Sequence, residues 1–156
     1  MLKRNRNAIL QVKKKGQSTV EYIILVAAVI AAILIFEVIL ANEFPDAPTD
    51  AAAGKRTIVV RFGPQSAAAL YALAIATIYA SGAIGMRLYP QYSHAWLLLL
   101  LPCPVAICAV VFLYTDILKN RGIFRFNAFT IALHGIACLC MTAGFMSYAW
   151  SYRGFF

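Results

Sequence analysis

The chain alternates long apolar runs with short polar interruptions, and the runs are too long for strands or for ordinary buried helices. Val20 to Ala41, Ser66 to Met86, Ala95 to Tyr114 and Phe126 to Trp150 each reach the roughly 20 residues that a bilayer core requires. The last three carry no Asp, Glu, Lys or Arg, and the first carries only Glu21 and Glu37, near its ends. Lipid offers backbone groups no hydrogen-bond partner, so each run is expected as a helix. The pattern predicts an all-α membrane protein with four transmembrane helices. It divides into a basic N-terminal segment (1–16), a first helix (17–41), an Asp-rich loop (42–63) and a three-helix portion (64–156). Short connections fall at Arg87–His94 and Asp116–Arg125.

Composition agrees with that picture. The chain is 62% hydrophobic with a mean hydropathy of +0.75, and a soluble domain of 156 residues has too little interior for so much apolar surface. The net charge of +8 then reads as cationic loops facing anionic headgroups of the lipid bilayer. Nucleic acid is not an expected partner, because no basic patch is interleaved with aromatics in a soluble segment. Tyr89, Tyr92, Trp96, Tyr148, Trp150 and Tyr152 stand at span ends, where amphipathic rings favour the interface. Pro102 and Pro104 predict a kink in the third span. Gly82, Gly85, Gly135 and Gly144 predict close helix approach. Cys103, Cys108, Cys138 and Cys140 lie inside apolar spans without Cys-x-x-Cys spacing and read as small packing residues. His134, mid-span, reads as a histidine bonded to a nearby carbonyl, and His94 as interfacial. No Ser-His-Asp arrangement, phosphate-binding Gly-rich loop or zinc spacing is present.

Chemistry concentrates in Asn42-Glu-Phe-Pro-Asp46-Ala-Pro-Thr-Asp50-Ala-Ala-Ala-Gly54-Lys55-Arg56-Thr57. This stretch holds three of the chain's six acidic residues, followed at once by two cations. On a helix, Asp46 and Asp50 share a face, with Cβ atoms roughly 5–6 Å apart. Two hard carboxylates at that separation suit Mg²⁺, which keeps several waters and takes its other ligands from substrate phosphate. Asn42 adds a neutral oxygen at the same spacing. Lys55, Arg56 and Arg61 are candidate phosphate partners, Arg bidentately and Lys as a point charge. Pro45 and Pro48 work against one continuous helix. A helix beginning at Pro48 would leave Asp46 just ahead of it, and spacing alone does not decide between the two.

The motif Asn-Glu-Phe-Pro-Asp46-x-x-x-Asp50-Ala-Ala-Ala-Gly54-Lys55-Arg56-Thr57-Ile-Val-Val-Arg61-Phe-Gly63 resembles the second aspartate-rich motif of the UbiA superfamily of intramembrane prenyltransferases, in its menaquinone-type form. The apolar run through Tyr71 fits the helix that follows it. The resemblance covers about residues 36 to 150 and implies the last four helices of a larger bundle. It implies Mg²⁺-dependent transfer of an isoprenyl group from its diphosphate to an aromatic or quinone-precursor acceptor. Asp46 and Asp50 become the expected metal ligands, with Asn42 a weaker one. Lys55 and Arg56 become expected diphosphate partners, with Arg61 a weaker one. The family's first aspartate-rich motif has no counterpart here, since Asp116 stands alone. The expectation is therefore part of an active site, completed by a chain that supplies the other motif, in a prokaryotic cytoplasmic membrane. The alternative is a non-catalytic structural membrane protein.

A second resemblance supports that alternative. Lys-Lys-Lys-Gly16-Gln-Ser-Thr-Val-Glu21-Tyr22 before an apolar helix resembles the leader of Flp-type type IV pilins, cut after the glycine with a glutamate fifth in the mature chain. It covers about residues 13–36 and marks Gly16 and Glu21 as processing residues, although such pilins are short and single-span. The charges pull in the same divided way. The N-terminus, second loop and C-terminus hold eight Lys and Arg against six in the first and third loops, which places the Asp loop outside. Without residues 1–16 the balance is two against six, which places it in the cytoplasm. A junction near residues 35–37, joining a pilin-like start to an enzyme end, would account for both.

Overall fold

The computed structural model describes residues 2–88, 90, 93–119 and 124–152, with side chains at 21, 24–88, 90, 96–119, 125–144 and 146–147. The elements are α1 (Leu2–Ala52), α2 (Ile58–Phe62), α3 (Pro64–Leu88), α4 (Ser93–Leu100), α5 (Cys103–Leu118) and α6 (Phe124–Tyr152). No strand occurs among the described residues. Four stretches are long and apolar enough to cross a membrane: Ile24–Ala52, Pro64–Leu88, Trp96–Leu118 and Arg125–Gly144. The chain is an all-α, multi-pass integral membrane protein.

Two elements differ from the sequence expectation. The first helix does not stop at residue 41. α1 runs 51 residues to Ala52 with Pro45 and Pro48 inside it, so residues 42–52 are helix where a loop was expected. Each proline removes one N–H from the ladder. Packing holds the helix through them: Ala41 and Phe44 are buried, and the Phe44 ring meets Phe126 edge-on at 5.6 Å. The third span, expected to kink at Pro102 and Pro104, breaks there. Leu101 N–H turns back to Leu98 C=O at 3.2 Å, and α5 starts anew with Pro102 as its N-cap and Ala106 N–H bonded to the Pro102 carbonyl at 3.0 Å.

The spans pack through two buried clusters. Near the end of α1, Leu40, Phe44, Val59, Tyr71, Leu113 and Phe126 meet. Tyr71 and Phe126 stack edge-on at 4.9 Å, and the Tyr71 hydroxyl bonds Thr130 Oγ1 at 2.9 Å. Buried in lipid, those hydroxyls need partners, and they find each other across α3 and α6. Nearer the other end, Ile30, Leu34, Ile78, Trp96, Leu99 and Ala137 form the second cluster. Trp96 thus stands at a span end as expected, with its ring packed inward and only 4% exposed. Gly85 makes room for it: a Cβ there would lie 2.6 Å from the indole ring. Gly82 faces Leu99 similarly, whereas Gly135 has nothing within 4 Å and is no point of close approach. The side chains of Tyr89, Tyr92, Tyr148, Trp150, Tyr152 and His94 lie outside the described residues. Large apolar side chains such as Ile35, Ile39, Leu73, Ile107 and Leu139 are exposed, as a lipid-facing surface requires.

The four cysteines are free and half-buried. His134 does not bond a carbonyl: its Nε2 meets Cys138 Sγ at 3.8 Å, and its buried Nδ1 has no partner.

Candidate functional site

The site begins with the continuity of α1. Because the helix carries through Pro48, Asn42, Asp46 and Asp50 stand at successive one-turn spacings along it. Asn42 and Asp46 are exposed, while Asp50 is 8% exposed. The helix then ends on Gly54, whose φ of +74° lies in the left-handed region open to glycine. Gly54 N–H bonds Ala51 C=O at 3.1 Å, and Lys55 N–H bonds Asp50 C=O at 2.9 Å. This turn swings Lys55 back over the last turn of α1, where its Nζ reaches Asp50 Oδ1 at 2.8 Å. The Asp50 hydrogen bond, then the Asp50 charge and more weakly that of Asp46, push the Lys55 ammonium pKa above the ordinary lysine value.

Beyond Lys55 the chain is pinned twice. Thr57 caps α2, its Oγ1 accepting from Val60 N–H at 3.4 Å. Val59 N–H donates to Glu43 Oε2 at 3.2 Å, tying α2 to α1. A carboxylate on a free helix-start N–H is a favourable pairing. Glu43 was not singled out from the sequence, though it lies inside the motif. Gly63, at φ +82°, turns the chain into α3. Arg56 and Arg61 are exposed, and the Arg61 guanidinium lies over the Phe62 ring at 5.5 Å.

The structure therefore brings together Asp50 and Lys55 directly, with Asp46 one turn away on the same helix. It does not assemble a full metal cage: no group of three or more His, Cys, Asp or Glu fit to hold an ion occurs among the described residues. Two carboxylates and a neutral oxygen match the few protein ligands that Mg²⁺ takes when phosphate supplies the rest. Gly16 and Glu21, the expected processing residues, lie within α1, and Glu21 is exposed.

Two further ionisable groups stand differently from the sequence expectation, which put Glu37 near a span end and Asp116 alone. Glu37 is 1% exposed, near the middle of the first span, with its Oε1 unpartnered. Asp116 is fully buried and bonded to Arg125 Nη2 at 2.8 Å.

The apolar spans thus carry, at the end of the first of them, an exposed Asp46 and a buried Asp50 clasped by Lys55. The chain matches the family model of the UbiA prenyltransferase family over residues 16–133, and it belongs to that family. The match begins well upstream of residues 35–37, so the first span lies within it. Neither the curated proteins nor the solved structures compared with the chain gave a match.

Proposed function

We propose that this chain takes part in Mg²⁺-dependent transfer of an isoprenyl group from its diphosphate to an aromatic or quinone-precursor acceptor. In this reading it contributes the part of the site built on Asp46 and Asp50. The observation that carries it is the juxtaposition of Asp46, Asp50 and Lys55 at the end of a transmembrane helix, in a member of a prenyltransferase family.

Asp46 and Asp50 would hold the cation, with Asn42 beside them, and Lys55, Arg56 and Arg61 would hold diphosphate oxygens. When bound, the metal supplies positive charge to the departing diphosphate. Lys55 has a second part to play. Without ligand its ammonium sits on Asp50; with ligand it is placed to exchange that carboxylate for a phosphate oxygen. The cations of the loop stabilise charge that grows on the leaving group, which is where preorganised electrostatics contribute most.

These 156 residues hold one such acidic pair; the complementary pair is proposed to lie elsewhere in the same membrane, and a separate chain bearing it is the case put to the test. We place both in a prokaryotic cytoplasmic membrane with the Asp loop on the cytoplasmic side. The test is isoprenyl transfer in membranes containing this chain, with and without a co-expressed chain bearing a second aspartate-rich motif. Transfer that needs Mg²⁺ and both chains, and that is lost in Asp46→Asn, supports the reading. Transfer unchanged by Asp46→Asn and Asp50→Asn overturns the ligand assignment.

A further inference from the structure

The C-terminal ends of α1 and α5 lie at the same end of the bundle as the starts of α3 and α6. α1 and α5 run towards that end while α3 and α6 run away from it, and the Phe44–Phe126 contact joins them at 5.6 Å. Beside Phe126 stands Arg125. Its Nη2 donates to Asp116 Oδ1 at 2.8 Å, and its guanidinium lies over the Phe112 ring at 5.0 Å. The Asp116 side chain is 0% exposed, and its Oδ2 has no partner. The Arg125 side chain is 53% exposed.

This is an unusual place to bury a carboxylate. Removing it from water is expensive unless its partner is fixed. The carboxylate and the ring hold one edge and one face of the guanidinium. A guanidinium has five N–H donors in a rigid fork, and the half-exposed side chain of this one leaves donors beyond those held by Asp116. That geometry is suited to a phosphate oxyanion. Lys119 adds a second exposed cation at the same end.

We infer that Arg125 is a phosphate-recognising residue at the end of the bundle that carries the Asp pair, with Asp116 as its positioning residue. Resting on the proposed function for the ligand's identity, the inference assigns Arg125 the donor's diphosphate and not a lipid headgroup. Asp116 then acts through Arg125 and touches no ligand.

The experiment uses the full chain in zwitterionic nanodiscs and titrates inorganic diphosphate calorimetrically, with and without Mg²⁺. Arg125→Ala is expected to weaken binding roughly tenfold or more, because a charge-assisted bond is lost. Arg125→Lys keeps the charge and the tie to Asp116, and is expected to weaken binding severalfold with an unchanged unfolding temperature. It keeps the test sharp should Arg125→Ala fail to fold. Asp116→Asn is expected to weaken binding less than Arg125→Ala. Wild-type affinity in Arg125→Lys and in any folded Arg125→Ala protein overturns the inference. A second arm measures retention of phosphatidylglycerol against phosphatidylcholine. Arg125 dependence confined to that arm means a headgroup site and overturns the diphosphate assignment. The Mg²⁺-free titration separates this inference from the proposed function. Loss at Arg125 that persists when Asp46→Asn and Asp50→Asn have no effect leaves Arg125 standing and removes the metal site.

Discussion

Lys55 Nζ stands 2.8 Å from Asp50 Oδ1, across the glycine turn that ends α1. The Asp50 hydrogen bond and charge raise the lysine's pKa above its ordinary value. A group whose folded pKa is raised contributes stability fully below its unfolded pKa, about 10.4 for lysine, and loses it as pH climbs through the higher folded value. The pair should therefore persist across neutral pH and open only in strong alkali. An NMR titration of the Lys55 ammonium should show its midpoint move down in Asp50→Asn. An unchanged midpoint would mean that the pair does not form in solution.

The tie between Glu43 and Val59 predicts a local effect. Glu43→Ala removes an acceptor from a helix-start N–H at 3.2 Å, at a cost of about 1 kcal/mol. The Val59 amide should exchange with solvent faster, while amides in the core of α3 keep their protection. Equal loosening everywhere would show that Glu43 stabilises the whole bundle and not the loop.

Gly85 and Gly82 make a matched pair of tests for the α3–α4 contact. A Cβ at 85 would meet the rigid, buried Trp96 ring at 2.6 Å, whereas one at 82 would meet the flexible end of Leu99 at 3.0 Å. Gly85→Ala should cost about 1–3 kcal/mol of stability in detergent, as overpacking does, and Gly82→Ala distinctly less. The reverse order would contradict this packing.

Glu37 predicts a gain. Its Oε1 is buried near the middle of the first span with no partner. Glu37→Met removes an unsatisfied polar group, and burying such a group costs about 1–3 kcal/mol. Thermal unfolding in detergent should shift upward. A downward shift would mean that Glu37 serves a bound partner worth keeping it for.

How far the sequence foretold these features depends on where each one's cause lies. The four spans were legible because a run without charge has one meaning in a 20-residue window. The four-residue spacing of Asp46 and Asp50 suggested a shared helical face, but spacing could not show that the helix continues through Pro45 and Pro48. The prolines misled about the end of the first helix. Phe44 and Ala41 pack against elements far along the chain, Phe126 among them, and that packing overrides local preference. The inward course of the Trp96 ring was illegible for a similar reason: only Gly85, 11 positions earlier, makes room for it. Asp116 looked solitary because its partner, Arg125, stands on the next helix, nine positions on. The Lys55 clasp went unread, because the turn at Gly54 that makes it follows from α1 continuing to Ala52.

The central claim is that Asp46 and Asp50 hold Mg²⁺ and, through it, an isoprenyl diphosphate. The most direct measurement is binding of a radiolabelled isoprenyl diphosphate to the chain in nanodiscs, with Mg²⁺ or with a chelator. The account predicts that Mg²⁺ strengthens wild-type binding and that the double variant Asp46→Asn, Asp50→Asn loses this strengthening while remaining folded. Mg²⁺-dependent binding of equal strength in the double variant would contradict it.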